Sequence, residues 1–387
     1  MLAAPVDARH SRFWLQIDDS RLEHVLGRLA NATWPVVPDT PPGTDGVAPA
    51  LVRAFVDHVT GPDYDWRAQE AAINALPSFV AQIHGLSIQF LHIQGSGPAP
   101  RPLLLCHGWP GGILEFLDVA DRLSHPERFG GTVSDAFTLV IPTLPGFGLS
   151  SPPPRPIGPR RIARIFDTLM REELGYEGYV AQGGDWGSVV ASWLGHESPA
   201  CRAVHLNFHL GWAMGLERPI TPDELAAGER NAAFMAREGA YIALQSTKPL
   251  TLSYAMADSP LGAAAWIIEK FADWSDPRDT TLWERFDRDR LSTLIMVYLL
   301  TDAFGTASWL YRGLFGVGER PDAVARVAKP TGLANYPHEI GSWPRAMVER
   351  RYDVRHWSAP QRGGHFAAFE QPATFADDLI AFGRTIR

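Results

Sequence analysis

Apolar residues return every three to four positions over 20–30 (SRLEHVLGRLA), so that Leu22, Val25, Leu26 and Leu29 share one face, and this spacing predicts an amphipathic helix. Residues 65–74 (DWRAQEAAIN) predict a second, within a first hundred residues that are otherwise Pro-rich and irregular. After Gly85 the character changes. Leu86, Ile88, Phe90 and Leu91 in LSIQFLHIQ suit a strand, and LLLCHG, after the GSGPAPRP turn, suits another; the two are expected as strands joined by a turn. Strand and helix then alternate through DAFTLVIPTLPG, RRIARIFDTLMREEL, YEGYVAQGG, SVVASWLGH and RAVHLNF. Alternation at this pitch predicts an α/β fold with a parallel sheet and crossover helices.

Over about 211–321 the pattern becomes helical, as in ELAAGERNAAFMAREGAYIALQ and PLGAAAWIIEKFADW, with no convincing strand, and it reads as an inserted helical lid. The alternation returns near 326–333 and 352–357 and ends in a helix with Phe375, Leu379 and Phe382 on one face. The core is therefore expected to be discontinuous: an N-terminal wrapping segment with the first strands (1–100), a first core section (101–212), the lid (213–321) and a second core section (322–387).

Composition narrows the function. Hydrophobic residues make up 45% and charged residues 20% of the 387, ordinary globular usage that excludes a disordered chain or a coiled coil. With 35 Lys+Arg against 43 Asp+Glu, the net charge of −8 lacks the basic excess that a phosphate backbone requires, so no nucleic-acid partner is expected. Cys106 and Cys201 alone build neither a disulfide framework nor a thiolate metal cluster, which fits a reducing compartment. The start carries no apolar run behind basic residues, and no stretch approaches the roughly 18 apolar residues of a membrane span. A cytoplasmic protein without membrane attachment is expected, and Asn31-Ala32-Thr33 reads as a chance match to the glycosylation pattern.

The chemistry concentrates at 183–187, GGDWG, between an apolar run and a helix-like segment. A strand-to-helix turn this tight strains its middle residue and needs small residues two positions before and after it, here Gly183 and Gly187. This is a nucleophile elbow with Asp185 where esterases carry Ser; taken alone, it reads equally well as a Gly-rich turn with Asp as helix N-cap. A carboxylate at a helix N-terminus stays ionised and suits attack on carbon. Upstream, HGWP at 107–110 follows a strand, and the amides of Trp109 and Trp186 are the expected oxyanion-hole donors. His107 reads as a structural residue packing that loop, and the Trp109–Pro110 bond admits either isomer. Near the end, RGGHFAAFEQP places His365 as the base, with Glu339 of ANYPHE as its acid partner; Glu349, Asp353 and Glu370 compete but read as solvated charges.

Taken in order, FW at 13–14, YDWR at 64–67, HGWPGG at 107–112, PGFG at 145–148, GGDWG at 183–187, QSTKP at 245–249, DSPLG at 258–262, YPHE at 336–339 and RGGHFAAFEQP at 362–372 resemble the microsomal-type epoxide hydrolase family across essentially the whole chain. The resemblance implies an α/β-hydrolase fold, a mostly parallel central sheet flanked by helices with a helical lid. It implies that Asp185 is the nucleophile, that Glu339 orients His365, and that two lid tyrosines, Tyr241 and Tyr311, bind and protonate the epoxide oxygen; Ala240 stands where the family has Gly. The implied reaction yields a vicinal diol and needs neither metal nor organic cofactor. Without the anchor of animal members, a soluble, bacterial-type version is expected, and similar proteins occur in natural-product pathways, including enediyne biosynthesis, with detoxification as the other role. The expected partner is a small-molecule epoxide, apolar or aromatic, for which Trp266, Trp274 and Trp309 are candidate pocket walls, although ordinary core packing explains the same residues as well. A homodimer is the assembly to test. Two rivals stand beside this reading: a haloalkane dehalogenase with the same Asp nucleophile, and a non-catalytic ligand receptor on the same fold. An epoxide needs acids where halide needs only N–H donors, so the lid tyrosines favour the hydrolase; a receptor has no need of the whole Asp–Glu–His set.

Overall fold

The computed structural model describes residues 10–209, 219–278, 280–317 and 326–386. Its strands are β1 (His10–Arg12), β2 (Ser78–Ile83), β3 (Leu86–Ile93), β4 (Arg101–Cys106), β5 (Phe137–Pro142), β6 (Tyr179–Gly183), β7 (Cys201–Leu206), β8 (Val327–Ala334) and β9 (Tyr352–Ser358). They form one sheet in the order β1-β2-β3-β5-β4-β6-β7-β8-β9. Pairing is antiparallel from β1 to β5 through β2 and β3, and parallel from β5 to β9.

The two strands expected on either side of the GSGPAPRP turn are β3 and β4, but they do not pair with each other. β5 lies between them, and β3 pairs on its other side with β2 through a tight turn at His84-Gly85 whose residues both have positive φ (50° and 80°). β2 and β1 escaped the sequence reading because SFVAQI alternates only partly and HSR has no apolar residue to alternate. The central strands are the opposite case: every residue of β5 and β6 is buried, as both faces of a parallel sheet are covered by crossovers.

Helices α1 (Asp19–Ala30), α2 (Pro49–Thr60) and α3 (Trp66–Ala75) precede the sheet; α4 (Leu117–Ser124), α5 (Pro159–Thr168) and α6 (Asp185–Glu197) connect its strands. Between β7 and β8 run α7 (Pro222–Glu238), α8 (Ala240–Thr247), α9 (Pro249–Asp258), α10 (Pro260–Asp273), α11 (Leu282–Arg285), α12 (Arg288–Leu300) and α13 (Ala303–Val317). The expected lid boundaries, at 213 and 321, lie outside the described residues. After β8 come α14 (Arg345–Val348), α15 (Ala367–Glu370) and α16 (Pro372–Thr385), the last burying Phe375, Leu379 and Phe382. No single described helix is long and apolar enough to cross a membrane; α12 and most of α13 pass that test only together, bent by 86°.

The N-terminal segment is pinned both internally and to the lid. Asn74 exchanges two hydrogen bonds of 2.7 Å with the backbone of Leu15, and Arg21 donates to the carbonyls of Leu299 and Leu300 and to Asp302. The Arg21 bonds tie the wrapping segment to the end of α12 in the lid.

Where β4, β6 and α6 converge, two glycines let backbones touch. A Cβ at Gly183 would lie 2.1 Å from the Gly187 carbonyl, and one at Gly187 would lie 2.0 Å from the Cys106 carbonyl oxygen. Gly187→Ala must therefore push α6 off β4, and overpacking of this severity is expected to cost about 3 kcal/mol or more. Urea denaturation of parent and variant measures the loss, and an unchanged midpoint would contradict this account of the elbow.

Candidate active site

Asp185 follows β6 at φ 44°, a conformation that costs a non-glycine residue strain and that the two small flanking glycines make room for. The capping position of α6 falls on Gly184, and the Asp185 carboxylate instead turns to the loop after β4. There its Oδ1 accepts the Trp109 N–H at 2.7 Å. The Trp109–Pro110 peptide bond is cis. Trp186, the other expected amide donor, meets the lid through its indole.

His365 is presented by the loop between β9 and α15. Its own N–H donates to the Trp274 carbonyl at 2.8 Å, its Nδ1 stands 2.6 Å from Glu339 Oε1, and its Nε2 lies 3.3 Å from Asp185 Oδ2 in ion-pair contact without hydrogen-bond alignment. Burial alone would strip the ring of its proton, but the charge of Glu339 and then Asp185 outweigh burial and raise His365 to about 10. The resting ring is an imidazolium between two carboxylates. Burial pushes Glu339 above its ordinary range, opposed by the charge of His365; Oε1 also accepts the Ile340 N–H at 2.7 Å.

The competing carboxylates separate cleanly. Glu349 and Asp353 pair with Arg345 and Arg355 near the surface. Glu370 is not a solvated charge, contrary to expectation. It is buried and accepts the amides of Asp276 (2.8 Å), Gly364 (3.1 Å) and Phe366 (3.0 Å), so it shapes the loop that carries His365, and burial pushes it up to about 7. His107 has the structural role expected of it. Nε2 accepts the Leu144 N–H at 3.0 Å, which leaves Nδ1 to donate to the Gly108 carbonyl, and burial pulls the ring down to about 4, keeping it neutral.

Tyr241 on α8 and Tyr311 on α13 meet above Asp185, their ring centres 5.7 Å apart. The tryptophans flanking the nucleophile brace them: Trp109 stacks on Tyr241 (5.4 Å, 10°) and Trp186 stands edge-on to Tyr311 (4.7 Å, 83°). Burial, followed for Tyr241 by the Asp185 charge, holds both phenols well above their ordinary 10, so both are neutral O–H donors.

A cavity of about 320 Å³ opens from Asp185 and the two tyrosines into the lid, walled by Phe208, Phe234, Met235, Phe315, Ile340 and Trp343. Of the two readings of Trp266, Trp274 and Trp309, the structure favours packing over pocket wall, since none of them lines this cavity. Trp274 is buried 5.1 Å from both Tyr241 and His365, Trp266 donates to Gln245, and Trp309 is half-buried outside the lining. A second chamber of about 20 Å³, enough for one water, also borders Asp185 and His365, beside Glu115 and Asn207. Glu115 went unnoticed in the sequence. Burial raises it to about 8, and its Oε1 accepts the Gly112 N–H at 2.8 Å.

The sheet and this cluster together define an α/β-hydrolase whose elbow carries a carboxylate in place of an alcohol. Residues 10–116 match the family described as epoxide hydrolase N terminus, and 101–217 that described as alpha/beta hydrolase fold. Epoxide hydrolase 1 of Sus scrofa is 34% identical over 349 residues, covering 82% of this chain and 76% of its own. The structure of juvenile hormone epoxide hydrolase from Bombyx mori superposes with a TM-score of 0.87 at 27% identity, over 98% of this chain and 95% of that one. An enantioselective mutant of the Aspergillus niger epoxide hydrolase gives 0.84 at 29% identity, over 100% and 99%. The chain belongs to the microsomal-type epoxide hydrolase family.

A histidine raised from 6.5 to about 10 on folding adds stability that is fully present below pH 6.5 and disappears as pH rises through about 10. Thermal melts between pH 7 and 11 should therefore show the parent losing some of its advantage over Glu339→Gln across this range. A gap between the two proteins that stays constant with pH would mean that Glu339 does not hold the imidazolium.

Proposed function

We infer that the protein hydrolyses a small epoxide to a vicinal diol through an alkyl ester on Asp185. The observation that carries this reading is the meeting, in the wall of one apolar cavity, of the Asp185 carboxylate and two neutral buried phenols. A strained ether needs both: a nucleophile for carbon and an acid for the oxygen, because an unprotonated alkoxide leaves poorly.

Asp185 attacks one ring carbon as Tyr241 and Tyr311 hold the oxygen and a phenol hands over its proton. Esterification then removes the Asp185 charge, one of the two partners that keep the proton on His365. The imidazolium gives up that proton, which restores the phenol, and the ring becomes a base oriented by Glu339. His365 deprotonates a water, for which the chamber beside Glu115 and Asn207 has room. The developing charge falls on Asp185 Oδ1, where the Trp109 amide already donates and the Trp186 amide is the assigned second donor. Collapse returns Asp185 as carboxylate, His365 as imidazolium, and the diol.

The aromatic and aliphatic cavity walls support an apolar, aromatic-tolerant epoxide as substrate. We assign the protein to the cytoplasm on its two free buried cysteines, which need no oxidising compartment. Turnover of a panel of epoxides decides between natural-product and detoxifying roles, and sedimentation tests the homodimer. The dehalogenase reading retains one foothold, the Trp109 indole N–H, which has no hydrogen-bond partner among the described residues and could meet a halide. Diol from styrene oxide and chloride from a chloroalkane are accordingly assayed side by side; chloride release without diol overturns the reading.

Two sets of variants test the division of labour. His365→Gln should still alkylate, so mass spectrometry should find one substrate mass on the peptide containing Asp185, and normal turnover or an adduct elsewhere would contradict the assignment. Tyr241→Phe and Tyr311→Phe should each slow alkylation, with one lost donor worth about 2.7–4 kcal/mol less whatever the other tyrosine compensates. The double variant should be nearly inactive towards epoxides, and parent-like ring opening by it would remove the tyrosines from the mechanism.

A further inference from the structure

Lys270, on α10, has no role in the steps above, yet it is 3% exposed. Its ammonium stands 4.9 Å from the centre of the Tyr241 ring, 5.6 Å from that of Trp274 and 5.9 Å from that of Trp266. Among the described residues no other cation lies over Tyr241, and none lies over Tyr311, Trp109 or Trp186. It is ion-paired to its neighbour Glu269, whose carboxylate gathers with Glu238 and Asp273, all three within 4.8 Å of one another.

A lysine usually buries its stem and keeps its head in water; this one buries the head, against an aromatic wall of the site. Removing an ammonium from water is costly, and one carboxylate with three ring faces is a specific way to offset it. Neutralising the acid cluster would not by itself require that wall, since Arg237, bonded to Glu238, is a largely exposed cation that already serves it.

We propose that Lys270 is the positioning residue for the acid Tyr241: its charge, held over the ring, fixes the phenol and favours the phenolate that forms as the proton leaves. The proposal rests on the reading of Tyr241 as an acid. In the step concerned, the Tyr241 O–H bond breaks and its proton joins the epoxide oxygen as the C–O bond opens. The negative charge passes to the Tyr241 oxygen until the proton from His365 returns it to the phenol. The Lys270 ammonium, 4.9 Å from the ring centre, lies close to that transient charge, on a ring that the Asp185 charge otherwise burdens.

Single-turnover measurements with styrene oxide test this. Lys270→Met keeps the length and packing of the stem without the charge, and alkylation should slow about 30-fold, the equivalent of roughly 2 kcal/mol for a desolvated cation–π contact. Hydrolysis of the ester, once formed, should keep its parent rate. Lys270→Arg should restore most of the alkylation rate, and in a Tyr241→Phe background Lys270→Met should have no further effect. If Lys270→Met does not fold, Lys270→Gln carries the same expectations. Parent-like alkylation in the neutral variant, equal slowing of both steps, or full additivity with Tyr241→Phe would overturn the proposal while leaving Tyr241 as the acid. Parent-like alkylation in Tyr241→Phe itself would instead remove the reading on which the proposal rests.

Discussion

One imidazolium held between two carboxylates in a nearly dry pocket is the contact on which the rest of the site depends. Two carboxylates within 3.3 Å of one charged ring are tolerable away from water only when they have further hydrogen bonds. The neighbourhood supplies them to the carboxylates, the Trp109 amide for Asp185 and the Ile340 amide for Glu339, while the Trp274 carbonyl fixes the His365 backbone. The array also stores the switch. In the proposed mechanism, esterification of Asp185 removes one of the two charges that keep the proton on the ring and so frees the base.

The features of this site that the sequence reveals are those with a local cause. Asp185 stands out because a tight βα turn demands glycines around it, and His365 because it follows the last strand. The βα alternation from 137 to 206 is legible because strands buried on both faces become unbroken apolar runs. β1, β2 and the place of β5 between β3 and β4 are not, since three residues of HSR carry no period and a neighbour in a sheet need not be a neighbour in the chain.

Acids are the harder case. Glu115 and Glu370 look like surface charges, and nothing nearby in sequence says that folding will bring amides to them. The tryptophans leave two readings open for a related reason: aromatic content marks the lid as apolar but does not say which face looks into the cavity. Trp274 packs behind Tyr241, whereas Phe234, Met235 and Trp343 form the wall. The two lid tyrosines came from family resemblance, because no spacing rule distinguishes a phenol over an active site from one in a core.

Trp109 and Trp186 each belong to two regions of the molecule at once. Their backbones belong to the nucleophile's loop and elbow, and their indoles to the lid, against Tyr241 and Tyr311. Substitutions in the core and in the lid are therefore not independent, and the molecule is epistatic at its centre. Evolution towards a new substrate has freer ground on α7, whose Phe234 and Met235 line the cavity but belong neither to the elbow nor to the nucleophile's loop. Selectivity in this protein should drift first through the lid wall, with the elbow tryptophans among the last residues to change.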